Sequence, residues 1–160
     1  MEVAELEKVF LYPAAIMVAS RPVRIATLLG TCVAVCLWDS KTKVGGMNHY
    51  LLPLWNGEGL ASPKYGNIAI EKLISEMVFQ GAVKKNLVAK IFGGRMQSEA
   101  GAAPYHIGLR NSQIAKQMLA DLTIPIVAEN VGGELGMTIQ FDTSTGIVKL
   151  KYIRGGIKAL

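Results

Sequence analysis

The sequence predicts an α/β fold in which layered, mixed β-sheets are flanked by two main helices. Two observations predict it: apolar segments rich in β-branched residues recur along the chain, and two segments with helical spacing lie between them. With 160 residues, 51% of them hydrophobic, the chain can bury a sizeable core. Since neither a repeat nor a long linker divides the sequence, we expect residues 1–160 to form a single domain.

The first strongly apolar segment is Ile25–Trp38, whose composition predicts one strand buried on both faces. The segment Lys41–Gly46 is then expected to turn, because Gly45 and Gly46 permit a positive φ. A second strand is predicted over Met47–Leu52 and stops at Pro53.

The first helix is predicted after a glycine-rich loop, Trp55–Gly66. Asn67 is expected to cap its N-terminus, and Gly81 occupies the position of a C-terminal glycine. Its predicted apolar face consists of Ile70, Leu73, Ile74, Met77 and Val78.

A buried strand, Leu87–Phe92, is predicted next and is ended by Gly93 and Gly94. The second helix is predicted over about Gly108–Leu122. Its inward residues are predicted to be Ile114, Ala115, Met118 and Leu119.

The last third of the sequence is predicted to be sheet. Strands are expected over Ile124–Ala128, Met137–Asp142 and Ile147–Ile153, with a break at Gly132-Gly133 and a hairpin over Asp142–Gly146. In the last strand, Val148 and Leu150 are expected to face the core, and so is either Tyr152 or Ile153.

Composition and charge exclude several classes of protein. The charge-free part of the apolar segment has 14 residues, fewer than the roughly 18–20 that span a membrane. Because the acidic N-terminus does not resemble a signal peptide, we expect a cytoplasmic protein with free thiols. The net charge is +5, but the Lys and Arg residues are scattered, which argues against nucleic-acid binding.

Four side chains are candidate nucleophiles, bases or soft ligands: Cys32, Cys36, His49 and His106. The spacing of Cys32, Cys36 and His49 fits three ligands of a zinc finger, but the fourth ligand is missing and a strand separates the thiols. The same strand would hold the two thiols about 13 Å apart, too far for a disulfide. We therefore predict no metal site, and we expect Cys36 to be buried and His106 to lie in a loop.

Cys32 and His49 admit two interpretations each. Cys32 follows Gly30 and Thr31, whose backbone amides could stabilise an oxyanion, but it could equally be a packed core cysteine. His49 could reach Cys32 from the neighbouring strand and, when charged, lower the thiol pKa. It could also be a hydrogen-bonded, half-buried histidine without a catalytic role.

Several blocks of sequence between about residues 10 and 150 resemble the CheD family of chemoreceptor glutamine deamidases. The blocks are Gly30–Asp39 (GTCVAVCLWD), Gly45–Pro53 (GGMNHYLLP), Lys90–Gly94 (KIFGG), Ile107–Asn111 (IGLRN), Ile124–Gly133 and Phe141–Gly146 (FDTSTG). The resemblance implies a layered α/β fold similar to the deamidase domain of cytotoxic necrotizing factor toxins. It also implies a Cys-His amidohydrolase that deamidates glutamines on cytoplasmic helices of methyl-accepting chemotaxis receptors, without a metal or cofactor.

By the same resemblance, Cys32 would be the nucleophile and His49 the general base and acid. The third catalytic residue of the family is a Thr, whose usual place aligns with Ala26, and Thr27 is adjacent. The thioester route would also permit hydrolysis of receptor glutamyl methyl esters.

The sequence departs from the family elsewhere. The block at residues 107–111 lacks a Glu that is frequent in the family, and acidic Glu134 follows Gly132-Gly133, where basic residues are usual. An alternative is therefore a module that binds chemoreceptors, or the CheC-type phosphatase that the family engages, without turnover. Specificity is expected to lie in the loops Trp55–Gly66 and Gly94–His106.

Overall fold

The computed structural model describes residues 5–96, 106–154 and 157–160. They form two mixed five-stranded sheets, ordered β1-β3-β8-β9-β10 and β2-β5-β4-β6-β7, and two main helices. In chain order the elements are β1 (Glu7–Phe10), β2 (Ile16–Ala19), β3 (Val23–Leu29), β4 (Val33–Asp39), β5 (Val44–Asn48), α1 (Gly66–Phe79), a 3₁₀ turn (Lys84–Asn86), β6 (Val88–Gly93), α2 (Ile107–Asp121), β7 (Ile126–Val131), β8 (Met137–Asp142), β9 (Val148–Tyr152) and β10 (Ile157–Ala159). The α/β class with mixed sheets and two main helices is confirmed.

The second sheet is the middle layer and is covered on both faces. Successive side chains of β4 alternate between the two faces. Ala34 and Cys36 pack with Ile25 and Phe141 of the first sheet, and Val35 packs in a separate core with the helices. This burial explains why β4 is apolar at nearly every position.

The prediction of one strand over Ile25–Trp38 is wrong, because the segment supplies two strands to two different sheets. β3 pairs with β1 and β8, whereas β4 pairs with β5 and β6. The chain crosses between the sheets at residues 30–32. Since both strands are buried in the same core, the apolar run continues across the crossing and conceals it.

The predicted turn at Gly45 and Gly46 is also wrong, since both residues lie inside β5. They are glycines because no side chain fits: a Cβ at Gly46 would lie 2.6 Å from Val18 Cγ2. The residue with a positive φ in this connection is Lys43, at 59°.

Asn67 does not cap α1, contrary to prediction. The cap residue is Tyr65, without a side-chain hydrogen bond, and Asn67 Oδ1 instead accepts from the backbone N–H of Trp55 at 2.9 Å. Gly81 does follow the helix end, with φ 110°. Val78, predicted to be inward, is 47% exposed.

The C-terminal strands largely agree with prediction, and β8 has the predicted bounds. On β9 it is Tyr152 that packs against the core, whereas Ile153 is exposed. β1, β2 and β10 were not predicted. Residues 97–105 of the predicted specificity loop lie outside the described residues. In the described part of the chain, no helix is long and apolar enough to cross a membrane.

Candidate active site

Cys32 and His49 lie at corresponding places on neighbouring strands. The backbones of Val33 and Tyr50, next to them, exchange two hydrogen bonds of 3.0 and 3.1 Å. This register places His49 opposite Ala34, two residues from Cys32 on the same face. Such diagonal neighbours have Cα atoms about 7–8 Å apart, with closer Cβ atoms. Both side chains therefore face the first sheet, where the two sheets meet.

Thr27 reaches His49 from the first sheet. Its Oγ1 lies 2.7 Å from His49 Nδ1 and also donates to the carbonyl oxygen of Leu11 at 2.7 Å. A hydroxyl has one proton to donate, and a carbonyl can only accept. Hence Thr27 accepts from His49, which carries its proton on Nδ1 and leaves a free lone pair on Nε2. Ala26 lies on the opposite face of β3.

Burial favours the uncharged forms of both candidate catalytic groups. It lowers the pKa of His49, whose side chain is only 2% exposed, to about 4. It raises the pKa of the half-buried Cys32 thiol, a rise that the Cys32 backbone N–H partly offsets. The expectation that a charged imidazole lowers the thiol pKa is therefore wrong for this arrangement. At neutral pH the pair is a thiol and a neutral imidazole.

The imidazole is nevertheless ready to accept a proton. His49 Nε2 is buried and has no hydrogen-bond partner among the described residues. An unpaired buried acceptor costs about 1–3 kcal/mol. Such a cost is typical of a site where a polar atom is kept available for a reaction.

Cys32 lines a cavity of about 390 Å³. Three of its lining residues are basic: exposed Lys64, half-buried Arg95 and His106, the cap residue of α2. Its other lining residues are Thr31, Leu51, Leu52, Met96, Ile107 and Gly108. Sequence reasoning missed the place of His106 in this cavity, because residues 94–106 gave no periodic signal that would orient it.

The carbonyl oxygens of residues 30–32 each accept a hydrogen bond. The oxygen of Gly30 accepts from the N–H of Arg95, and that of Cys32 from the N–H of Gly94, both at 2.9 Å. The oxygen of Thr31 accepts from Asn111 Nδ2 at 3.0 Å. The sequence analysis singled out the block containing Asn111 but assigned it no contact.

Cys36 is fully buried between the sheets, and its surroundings raise the pKa of its thiol. It packs with the inner core, whereas Cys32 borders the cavity. Within residues 5–96, 106–154 and 157–160, no group of three or more His, Cys, Asp or Glu residues is arranged to hold a metal ion.

Comparison with known proteins gives a consistent result. Residues 51–152 match the sequence model of a family described as CheD chemotactic sensory transduction. A probable chemoreceptor glutamine deamidase CheD of Sulfurimonas denitrificans is 49% identical over 94% of this chain and 97% of its own. The protein of the same name from Trichlorobacter lovleyi is 48% identical over 91% of this chain and 90% of its own. The one from Rhodospirillum rubrum is 39% identical over 97% and 88%.

A crystal structure of the Bacillus licheniformis hypothetical protein YfiH aligns with a TM-score of 0.43 and 15% identity, over 71% of this chain and 49% of that one. This similarity is too low to support an argument. The family match begins at residue 51, after Cys32 and His49, but the pairwise alignments span at least 91% of the chain for these three relatives. On the family match and these identities, the chain belongs to the CheD family.

Proposed function

We propose that this protein is a chemoreceptor glutamine deamidase, with residues 1–160 acting as one catalytic domain. The observation that carries the proposal is the hydrogen bond from His49 Nδ1 to Thr27, which leaves Nε2 free on a residue diagonal to Cys32 across the neighbouring strands. Cys32 is the nucleophile, His49 the general base and acid, and Thr27 the residue that orients the imidazole. The names of the relatives at 39–49% identity support glutamine as the substrate.

In the first half of the reaction, the Cys32 sulfur attacks the carbonyl carbon of the glutamine side chain as its proton passes to His49 Nε2. The carbonyl oxygen becomes an oxyanion, which backbone N–H groups at residues 31–32 stabilise. The imidazolium then donates the proton to the amide nitrogen. Ammonia leaves and a thioester remains.

In the second half, water gives a proton to the neutral His49 and attacks the thioester carbonyl. The imidazolium returns its proton to the sulfur, and glutamate is released. Throughout, His49 keeps its Nδ1 proton and donates it to Thr27 in a hydrogen bond, so Nε2 alone carries both transfers. A glutamyl methyl ester would enter by the same route, with methanol leaving in place of ammonia.

The charge of the cavity lining is evidence about the substrate: it favours a polar side chain that lies in an acidic segment of the partner protein. Its three titratable groups besides Cys32, on Lys64, Arg95 and His106, are all basic, and no carboxylate of the described residues lines it. We therefore propose that cytoplasmic helices of chemoreceptors, with acidic side chains near the target glutamine, present it to Cys32. With this substrate, the proposed location of the enzyme is the cytoplasm.

The test is to incubate the protein with cytoplasmic receptor fragments and to map deamidated peptides by mass spectrometry. Wild type should convert specific glutamines to glutamate, and Cys32→Ala and His49→Gln should not. Cys36→Ala is the matched control, because it removes a thiol that does not border the cavity. Conversion by Cys32→Ala at the wild-type rate would contradict the proposal.

A second candidate is a module that binds chemoreceptors or a CheC-type phosphatase without turnover. One observation favours it: the resting thiol and imidazole are uncharged, so the pair is not activated in advance. This candidate predicts equal binding of receptor by wild type and Cys32→Ala, with no glutamine converted by either.

A further inference from the structure

Asn111 is a fully buried side chain of α2 that binds the backbone on both sides of the cavity. Its Nδ2 donates to the carbonyl oxygen of Thr31 at 3.0 Å and to that of Leu51 at 2.9 Å. We propose that Asn111 is a positioning residue, which turns the peptide bond between Thr31 and Cys32 so that the Cys32 N–H faces the substrate oxyanion. The inference rests on the proposed function.

The direction of the Cys32 N–H follows from peptide geometry. In a trans peptide the N–H and the preceding C=O point in opposite directions. Asn111 binds the Thr31 carbonyl oxygen, which therefore points toward Asn111. The Cys32 N–H then points in the opposite direction, away from Asn111. It makes no hydrogen bond to the described residues, and it stabilises the thiolate of its own side chain. The N–H is therefore free and close to the reacting sulfur.

Hydrogen bonds of the adjoining peptides restrain the Thr31–Cys32 peptide from rotating. The Gly30 and Cys32 oxygens are bonded to backbone N–H groups of residues 95 and 94, respectively. The Val33 N–H is bonded to Tyr50. Of these neighbouring restraints, only the Asn111 contact with Thr31 comes from a side chain. It is thus the restraint that a substitution can remove.

An asparagine suits this position because one nitrogen supplies two donors. Both protons of Nδ2 are used, while Oδ1 has no partner among the described residues. Leaving a buried acceptor unpaired is unfavourable. The residue is therefore arranged to donate to both carbonyls at the expense of its own acceptor.

Two glycines let α2 come close enough for this contact. A Cβ at Gly94 would lie 2.7 Å from the carbonyl oxygen of Gly108, and a Cβ at Gly108 would overlap the carbonyl oxygen of Arg95. The helix start is thus pressed against the strand end that borders Cys32. Asn111, one turn later, reaches Thr31 for that reason.

Two reactions of Cys32 separate an oriented N–H from a merely stable fold. Acylation by p-nitrophenyl acetate passes through a tetrahedral oxyanion, whereas alkylation by iodoacetamide does not. Both are followed at Cys32 by peptide mass spectrometry, below the unfolding temperature of each variant. Because removing one oxyanion donor costs about 10²–10³-fold in rate, we expect Asn111→Ala to slow acylation about 10–100-fold more than alkylation, which depends on the N–H only through the fraction of thiolate.

Asn111→Leu is the second variant, since leucine keeps the branched shape of asparagine and has no donor. Tyr50→Phe is the matched control: it deletes the hydroxyl that donates to the Asn111 backbone oxygen, in the same buried network, without touching Thr31. It should lower stability and leave the ratio of acylation to alkylation unchanged. Should the Ala variant fail to fold, the Leu variant decides.

An unchanged ratio in the Asn111 variants, or an equal loss in both reactions, would overturn the inference. Neither reagent needs a chemoreceptor. If wild type converts no receptor glutamine, the proposed function fails, while the ratio still decides whether Asn111 orients the Cys32 N–H.

Discussion

Replacing Thr27 with valine tests whether Thr27 fixes the tautomer of His49, the candidate base. Valine keeps the shape of threonine but has no hydroxyl, so His49 Nδ1 loses its acceptor and the Leu11 carbonyl loses its donor. Nothing then favours the tautomer that leaves Nε2 free. We expect a loss of both turnover and stability.

The structure sets the size of each loss. A buried polar group without a partner costs about 1–3 kcal/mol, and Thr27→Val leaves two of them, so the free energy of unfolding should fall by about 2–6 kcal/mol. The hydrogen bond from Nδ1 to Thr27 also stabilises the imidazolium that forms when Nε2 takes the proton, and such bonds to charged groups are worth about 1.5–3 kcal/mol. At about 1.4 kcal/mol per tenfold, its loss should lower kcat by about 10–150-fold.

The assay measures receptor deamidation at saturating substrate and unfolding in denaturant for a matched set of variants. Thr27→Ser keeps the hydroxyl and should retain most of the turnover. The double variant Ala26→Thr, Thr27→Ala moves the hydroxyl to the opposite face of β3 and should be as slow as Thr27→Val. Full turnover by Thr27→Val, or rescue by the double variant, would refute this account of His49.

Three further predictions concern charge. Because burial raises the pKa of the Cys32 thiol, its alkylation by iodoacetamide in the absence of substrate should accelerate continuously from pH 6 to 9, and a plateau below pH 7 would contradict the uncharged pair. Since the folded pKa of His49 is about 4, below the ordinary value of 6.5, the unfolded state binds its proton first as the pH falls. The free energy of unfolding should therefore drop between pH 7 and 5 by up to about 2 kcal/mol more in wild type than in His49→Gln, as measured by urea denaturation. Replacing both Lys64 and Arg95 with alanine should raise KM for an acidic receptor fragment by about 3–10-fold with kcat little changed, and should weaken the salt dependence of KM; an unchanged KM would exclude them as contacts.

The sequence predicted the elements of this fold better than their connections. Helical and strand periodicity located α1, α2 and β8 because these elements have one buried face. It failed at residues 30–32, where the chain passes from one buried strand to another and no charged residue marks the change. The glycine pair at residues 45–46 misled for a related reason: its cause is a neighbouring side chain that is distant in sequence.

For the candidate site, the sequence favoured Cys32 and His49 but left Ala26 and Thr27 undecided. Alternation along β3 could have separated them, because Ile25 and Leu29 share the face of Thr27. The exposed Leu28 obscured that pattern. Asn111 also had a signal: with Ala115 and Leu119 it forms a stripe of buried residues on α2, in which a polar residue is unusual.

The connection between β1 and β2 carried no signal, although it holds His49 at two points. The Leu11 carbonyl accepts from Thr27, which in turn accepts from the imidazole, and the N–H of Ala14 donates to the His49 backbone oxygen at 2.8 Å. The ladder between β4 and β5 is open here, since Asn48 Oδ1 takes the Val35 N–H in place of a backbone carbonyl. The His49 backbone can bond outside this ladder because Ala34 and His49 are the pair next to the hydrogen-bonded Val33 and Tyr50, so the His49 N–H and C=O point away from β4. Residues 11 and 14 act through a backbone C=O and N–H, and every residue except proline has both groups. The contacts that orient His49 therefore leave no trace in the pattern of side chains.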